Sequence, residues 1–309
     1  MRRTPLFCFG FVLAVAACAA PVLETPEVCA LEQRGTFKIL FKRNLPTVNV
    51  TLDGKAVTLL IDTGANVSVL SAGAAARIGI APAVKPGRST TVAGGASADH
   101  QQVAIGEIIL GTQTLPGTIF AVGDFVLRGD GDSALDGVLG NDILARFDVD
   151  LDLRVGQATL YRPRSCPSAS PPWSEASMRL AAPKGAPDQN FVFIPVDVDG
   201  HGFVGLLDTG APFTGITPAA AASIGVNDAT LAGAQRLSVG TLTTTDASIR
   251  VHQFREMRVG LDTIPKPTLG VLELPRNAGD VLIGRDFVGG RRLWISYASH
   301  VVFITSRAP

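Results

Sequence analysis

The strongest constraint on this 309-residue chain is an internal duplication. Leu60-Ile61-Asp62-Thr63-Gly64-Ala65 recurs 146 residues later as Leu206-Leu207-Asp208-Thr209-Gly210-Ala211. At the same spacing Asp53-Gly54 recurs as Asp199-Gly200, and Ala74-Ala75-Ala76-Arg77-Ile78-Gly79 as Ala220-Ala221-Ala222-Ser223-Ile224-Gly225. Val138-Leu139-Gly140-Asn141-Asp142 recurs 144 residues on as Leu282-Ile283-Gly284-Arg285-Asp286. A drift of two residues across a whole unit is small. The chain therefore holds one unit twice and not an array of short repeats, and it is long enough for two domains with separate cores.

Each unit has the same local grammar. Val48 to Leu52 and Phe191 to Val198 alternate or run apolar, as strands do, and Asp-Gly after them signals a tight hairpin. A second apolar strand runs into Asp-Thr-Gly. An Ala-rich helix follows, ended by Gly79 or Gly225, where positive φ suits the residue after a helix. Short strands and Gly-rich turns complete the unit, so the expected fold class is mostly β with a few short helices. Thirty-three glycines and twenty prolines fit that density of turns. Residues 162–190, with six prolines, read as a linker between a first lobe at 36–161 and a second at 191–309.

A single Asp-Thr-Gly is a common turn tripeptide and carries little weight. Two copies at equivalent positions, each after an apolar strand, carry much more, because a motif is confirmed by its structural context. Two units related by an approximate two-fold axis would bring Asp62 and Asp208 face to face. Like charges a few ångströms apart do not both ionise cheaply, so such a pair shares one proton. One carboxylate then acts as general base on a water while the protonated partner polarises a carbonyl. This chemistry needs neither a metal nor a cofactor, and none is expected. His100, His201, His252 and His300 stand apart, with no Cys/His cluster at metal-ligand spacing. Asp148, Asp150 and Asp152 alternate, which suggests the wet face of a strand more than a calcium site.

These motifs resemble those of the retropepsin/pepsin-type aspartic proteases, in the form of two fused retropepsin-like units. That family carries apolar-apolar-Asp-Thr/Ser-Gly and, later, apolar-apolar-Gly; the similarity covers most of residues 36–161 and 191–305. The resemblance implies a bilobal acid-protease fold of two similar β-barrel-like lobes. It implies Asp62 and Asp208 as the catalytic carboxylates, with Thr63 and Thr209 bonded across the axis. It makes Gly64 and Gly210 the points where backbone N–H groups approach the carboxylates. Ala65 and Ala211 follow the retroviral pattern and would lie beside substrate. The flap expected over the cleft is best matched by the hairpin around Ala93, Gly94 and Gly95, with Ser238 to Thr241 a weaker counterpart. Two departures bear on substrate preference: Tyr161 and Tyr297 are the only tyrosines, so the flap candidate has none, and Pro212 follows the second motif.

The N-terminus reads as an export signal: Met1-Arg2-Arg3, then an apolar run from Pro5 to Ala17 that is too short to span a bilayer. Val15-Ala16-Ala17-Cys18 resembles the lipobox of bacterial lipoproteins, which makes residues 1–18 the signal, Cys18 the lipidation candidate and 19–35 a tether. Cleavage after Ala19 is the alternative. Of the four cysteines, Cys29 and Cys166 would remain as an even pair, so a disulfide between them is expected in an exported chain.

The expected function is that of an aspartic endopeptidase acting as a monomer on peptide or protein substrates in the bacterial periplasm, touching membrane only through a lipid. Lys+Arg and Asp+Glu balance at 27 each without a basic block, so nucleic acid is not an expected partner. The alternatives are a catalytically silent bilobal peptide-binding envelope lipoprotein and a scaffold lipoprotein. Two intact Asp-Thr-Gly triplets argue against the first of these, since a binding module has no need for two facing carboxylates.

Overall fold

The computed structural model describes residues 31–80, 83–86, 90–91, 97–98, 101–123, 135–163, 170–187, 190–239, 247–275 and 277–307. They form a mostly β, bilobal fold with four short helices among the described residues. A ten-stranded sheet belongs to the first lobe and a nine-stranded sheet to the second. A six-stranded sheet is shared by both.

In the first lobe, strand Leu45–Leu52 turns at Asp53-Gly54 into strand Lys55–Ile61, with Leu52 opposite Lys55. In the second, Phe193–Val198 turns at Asp199-Gly200 into His201–Leu207. Both turn residues have positive φ in each copy, 46° and 78°, then 55° and 88°. That is the geometry Asp-Gly accommodates at low cost, and it matches the twist of the flanking strands. The turn aspartates do a second job. Asp53 accepts from the Gly106 and Glu107 N–H groups, and Asp199 from those of Arg255 and Glu256.

The second strand of each hairpin leads directly to its Asp-Thr-Gly. Beyond that loop the short strands Val69–Ser71 and Gly215–Ile216 feed helices Ala72–Arg77 and Pro218–Ser223. Ser71 and Thr217 cap these helices through their hydroxyls, at 3.1 Å and 3.2 Å from the Ala74 and Ala220 nitrogens. Strand Gly137–Leu139 then inserts beside Lys55–Ile61 in parallel and beside Val69–Ser71 antiparallel. Val281–Ile283 repeats the insertion in the second lobe. Every residue of both inserted strands is buried, so they read as continuous apolar runs rather than alternating ones.

The shared sheet lies under both lobes. Its central strands, Asp148–Asp152 and Arg292–Ser296, pair antiparallel with Asp150 opposite Trp294. Those residues are 144 apart, the spacing between Gly140 and Gly284, so equivalent positions face each other and the pseudo-two-fold axis passes through this pair. Asp148, Asp150 and Asp152 correct the sequence reading. They are 1%, 2% and 7% exposed, not on a wet face. Val149 and Leu151 on one face of the strand enter the apolar core, and on the other face arginines cover Asp150 and Asp152. Arg292 holds Asp150 with two bonds of 2.9 Å and 2.7 Å, and Arg154 holds Asp152 with two of the same lengths. Glu175 joins both arginines, and Trp173 stacks on Arg292 at 4.2 Å. Trp294 is fully buried, edge-on to Phe303.

The stretch 162–190 is also more than a linker. Ser177–Ala181 is a strand paired with Val301–Thr305 at one edge of the shared sheet. Met178 and Leu180 alternate inward there, a two-residue signal that the surrounding prolines hide. The tether likewise ends in a strand, Gln33–Lys38, at the opposite edge. Cys18, Cys29 and Cys166 lie outside the described residues.

Candidate active site

The duplication brings the two Asp-Thr-Gly loops together at the lobe interface. Each loop is pinned by the inserted strand of its own lobe. The Asp62 N–H donates to the Leu139 carbonyl at 3.1 Å, and the Asp208 N–H to Ile283 at 2.9 Å. Two residues past each inserted strand, Asn141 N–H donates to the Ala65 carbonyl and Arg285 N–H to Ala211, both at 2.8 Å. A hydroxyl–carboxylate strap closes each loop from below. Ser68 bonds Asp142 at 2.7 Å, and Thr214 bonds Asp286 at 2.6 Å.

The loops are joined to each other by four crossed hydrogen bonds. The Thr63 hydroxyl donates to the Leu207 carbonyl at 2.6 Å and accepts from the Thr209 N–H at 3.1 Å. The Thr209 hydroxyl donates to Ile61 at 2.7 Å and accepts from the Thr63 N–H at 3.1 Å. Both threonines are fully buried. A hydroxyl that both donates and accepts fits this lattice, which alanine or valine would leave with buried unpaired backbone groups.

Asp62 and Asp208 therefore face each other, 6% and 9% exposed. Gly64 N–H donates to Asp62 Oδ1 at 2.8 Å, and Gly210 N–H to Asp208 Oδ1 at 2.8 Å. Asp208 Oδ1 also accepts from Ala211 N–H at 2.9 Å. Each glycine lies against the other lobe's carboxylate. A Cβ on Gly64 would come within 2.4 Å of the Asp208 carboxyl, and one on Gly210 within 2.5 Å of Asp62. Burial raises both carboxyls above the ordinary carboxylate range. For Asp62 the negative charge of Asp208 adds to that rise. Each carboxyl shifts the titration of the other, so the protons belong to the two groups jointly.

Ala65 is half-buried and Ala211 buried, packed in the small apolar clusters behind the two loops. Ala93, Gly94 and Gly95 lie outside the described residues. The residues on either side of them do pair, Thr90–Thr91 with Ser97–Ala98. In the second lobe Arg236–Val239 pairs with Ala247–Gln253, and the turn between lies outside the described residues.

Three residues at the site escaped the sequence reading. Asn141 and Arg285 occupy equivalent positions but do different things. The Asn141 side chain donates to the Thr63 carbonyl at 2.8 Å. Arg285 reaches across the interface to the Asn44 carbonyl and Oδ1, at 2.9 Å and 3.2 Å. Tyr297, directly after strand Arg292–Ser296, donates its hydroxyl to Asn141 Oδ1 at 2.8 Å. The signal for the first two was the one position in Val-Leu-Gly-Asn-Asp and Leu-Ile-Gly-Arg-Asp where the repeats differ in chemistry. Tyr297 had none.

Comparison with known proteins agrees with the duplication. The family described as aspartyl protease matches residues 48–143 and again 194–287. Among solved structures, a retropepsin-like aspartic protease from Rickettsia conorii is 18% identical, with a TM-score of 0.32 over 43% of this chain and 96% of its own. No curated protein matches. The family match falls on both halves, spans more than half of the residues and takes in both Asp-Thr-Gly loops with both inserted strands: the chain belongs to the aspartyl protease family.

Proposed function

We propose that the protein is an aspartic endopeptidase whose catalytic groups are Asp62 and Asp208, both supplied by one chain. The observation that carries this reading is the facing pair itself. Two buried carboxyls from equivalent loops face each other, and each is held by its own glycine N–H against the other's glycine. With one proton between them, the ionised member takes a proton from a water as that water attacks the scissile carbonyl. The protonated member donates to the carbonyl oxygen, and proton transfer to the amide nitrogen then releases the amine. No covalent intermediate forms. Thr63, Thr209, Gly64 and Gly210 hold the pair in register, and Ala65 and Ala211 would border an extended substrate read by main-chain pairing and alternate pockets.

The test is cleavage of a diverse peptide library by purified mature protein across pH 3–8. Cleavage is expected to be blocked by a statine-type inhibitor and untouched by chelators and serine-protease reagents. Its rate should rise in proportion to enzyme concentration, because both carboxyls act in cis. A rate that rose with the square of concentration at low concentration would assign the active unit to a dimer. Absence of cleavage at every pH by a folded protein would remove the endopeptidase reading.

We infer also that the chain is exported to the periplasm and anchored there through Cys18, with Cys29 and Cys166 bridged. The basic start, the apolar run and the lipobox-like Val15-Ala16-Ala17-Cys18 support this reading. Mass spectrometry of the unreduced mature protein should give a diacylglycerol-modified N-terminal cysteine and no free thiol. Two alkylatable thiols would refute the bridge, and an N-terminus at Ala20 would refute the anchor.

A further inference from the structure

The two carboxyls of the pair are equivalent by duplication, but what stands behind them is not. Behind Asp62 runs a continuous chain of buried hydrogen bonds. Tyr297 hydroxyl donates to Asn141 Oδ1 at 2.8 Å, and Asn141 Nδ2 donates to the Thr63 carbonyl at 2.8 Å. The Thr63 carbonyl belongs to the same peptide unit as the Gly64 N–H, which donates to Asp62 Oδ1 at 2.8 Å. The direction of the chain is fixed by chemistry. A carbonyl only accepts, so the Asn141 amide must present its NH₂ to Thr63 and its oxygen to the phenol, and the phenol must donate. Asn141 is fully buried and Tyr297 8% exposed. Burial, and after it the charge of Asp62, hold the phenol above its ordinary range, so it stays a neutral donor wherever the pair titrates.

Among the described residues, no such chain stands behind Asp208. The residue equivalent to Asn141 is Arg285, which turns away to Asn44. The position 144 residues before Tyr297 is Leu153, a buried apolar side chain with no hydroxyl to give.

We propose that Tyr297 and Asn141 are positioning residues for the reaction assigned to the pair: through two amide groups they polarise the Thr63–Gly64 peptide, strengthen the Gly64 N–H bond to Asp62 and make the two carboxyls inequivalent. This rests on the protease reading given above. The physical basis is cooperativity. An amide that accepts at its oxygen becomes a better donor at its nitrogen, and the low dielectric of a buried loop magnifies the gain. The titratable groups that face Asp62 are Asp208 across the axis and Tyr297 from behind. The phenol stays neutral, so its influence reaches Asp62 through the hydrogen bonds.

Tyr297→Phe removes one oxygen and keeps the ring. The expected result is a fall in kcat of about three- to tenfold with KM changed less than about twofold, since neither residue touches substrate. The acid limb of the kcat/KM profile should move to higher pH, because the ionised form of Asp62 loses support. Side-chain carboxyl ¹³C titration by NMR, assigned with the Asp62→Asn and Asp208→Asn variants, should show the first ionisation of the pair moving up by roughly half a unit. Asn141→Leu should give a shift in the same direction, and the double variant no more than Asn141→Leu alone. A Tyr297→Phe protein of lower Tm with an unmoved titration and an unmoved acid limb would reduce the residue to a structural one and overturn the proposal. The titration needs no substrate. A shifted titration in a protein that cleaves nothing would uphold the positioning chain and end the protease reading, whereas an unmoved titration in an active protease would end the chain alone.

Discussion

Asp62→Asn is expected to abolish peptide cleavage and to stabilise the protein at neutral pH. The loss should be at least about 10³-fold, since an amide can neither take a proton from water nor return one, and general acid–base work contributes that order. Asp208→Asn should match it, and the double variant should be little worse than either, because the pair acts as a unit. The stability gain follows from the direction in which burial and the neighbouring charge move Asp62. In the unfolded chain its carboxyl gives up its proton in the ordinary range near pH 4, as exposed aspartates do. In the folded protein it holds the proton to higher pH. Between those two points the folded state binds more protons, so stability falls as pH rises through that window and remains lower above it. Asparagine carries no such penalty. Its Oδ1 keeps the Gly64 N–H bond, and its NH₂ presents Asp208 with a neutral donor. The Tm of Asp62→Asn should therefore exceed that of the wild type at pH 7, and the difference should close below about pH 4. A variant of lower Tm at pH 7 would mean that the two carboxyls are not held close, and the dyad would go with it.

Much of this architecture was legible because duplication writes the same constraint twice. Asp-Gly after an apolar strand located both hairpins. The spacing from Asp62 to Asp208 located the axis, and the two apolar-apolar-Gly segments located the inserted strands that pin the loops. What stayed illegible has a common physical cause. Burial of Asp148, Asp150 and Asp152 depends on the pairing of a strand from one lobe with a strand from the other, and on arginines at 154 and 292 that no local pattern connects to them. An alternating run of acids looks identical whether water or a guanidinium stands opposite. Strand Ser177–Ala181 was hidden among prolines because an edge strand needs only two inward side chains. The chain from Tyr297 to Asp62 spans 235 residues of sequence, and nothing local announces it. Repeats expose what two units share. Residues that make them differ, such as Asn141 against Arg285, become meaningful only once the loops are in place.

Gly64→Ala should disable the site while leaving the fold, and Gly73→Ala, the same chemical change nine residues on, should do the opposite. At Gly64 a methyl carbon would lie 2.4 Å from the Asp208 Cγ and Oδ2 and 2.8 Å from Oδ1. Side-chain ends are often free to yield, but this one is short, buried and tied to Gly210 N–H and Ala211 N–H. The backbone is no freer to retreat, because the neighbouring Thr63 is locked into the crossed hydrogen bonds. The carboxyl must therefore move by a distance on the order of an ångström, and misplacement of that size in a reacting group costs about 100-fold in rate. Crowding of a packed site adds a stability cost of about 1–3 kcal/mol. Gly210→Ala should behave alike, through Asp62. Gly73 lies in helix Ala72–Arg77, where a Cβ would meet nothing within 4 Å. Alanine there should leave cleavage untouched and raise stability by about 0.5–1 kcal/mol, from the freedom it removes in the unfolded chain. Measuring kcat/KM and denaturant midpoints for the two variants side by side separates a glycine needed for close approach from one that is merely tolerated. Full activity in Gly64→Ala would show that the two loops stand farther apart than a shared proton allows.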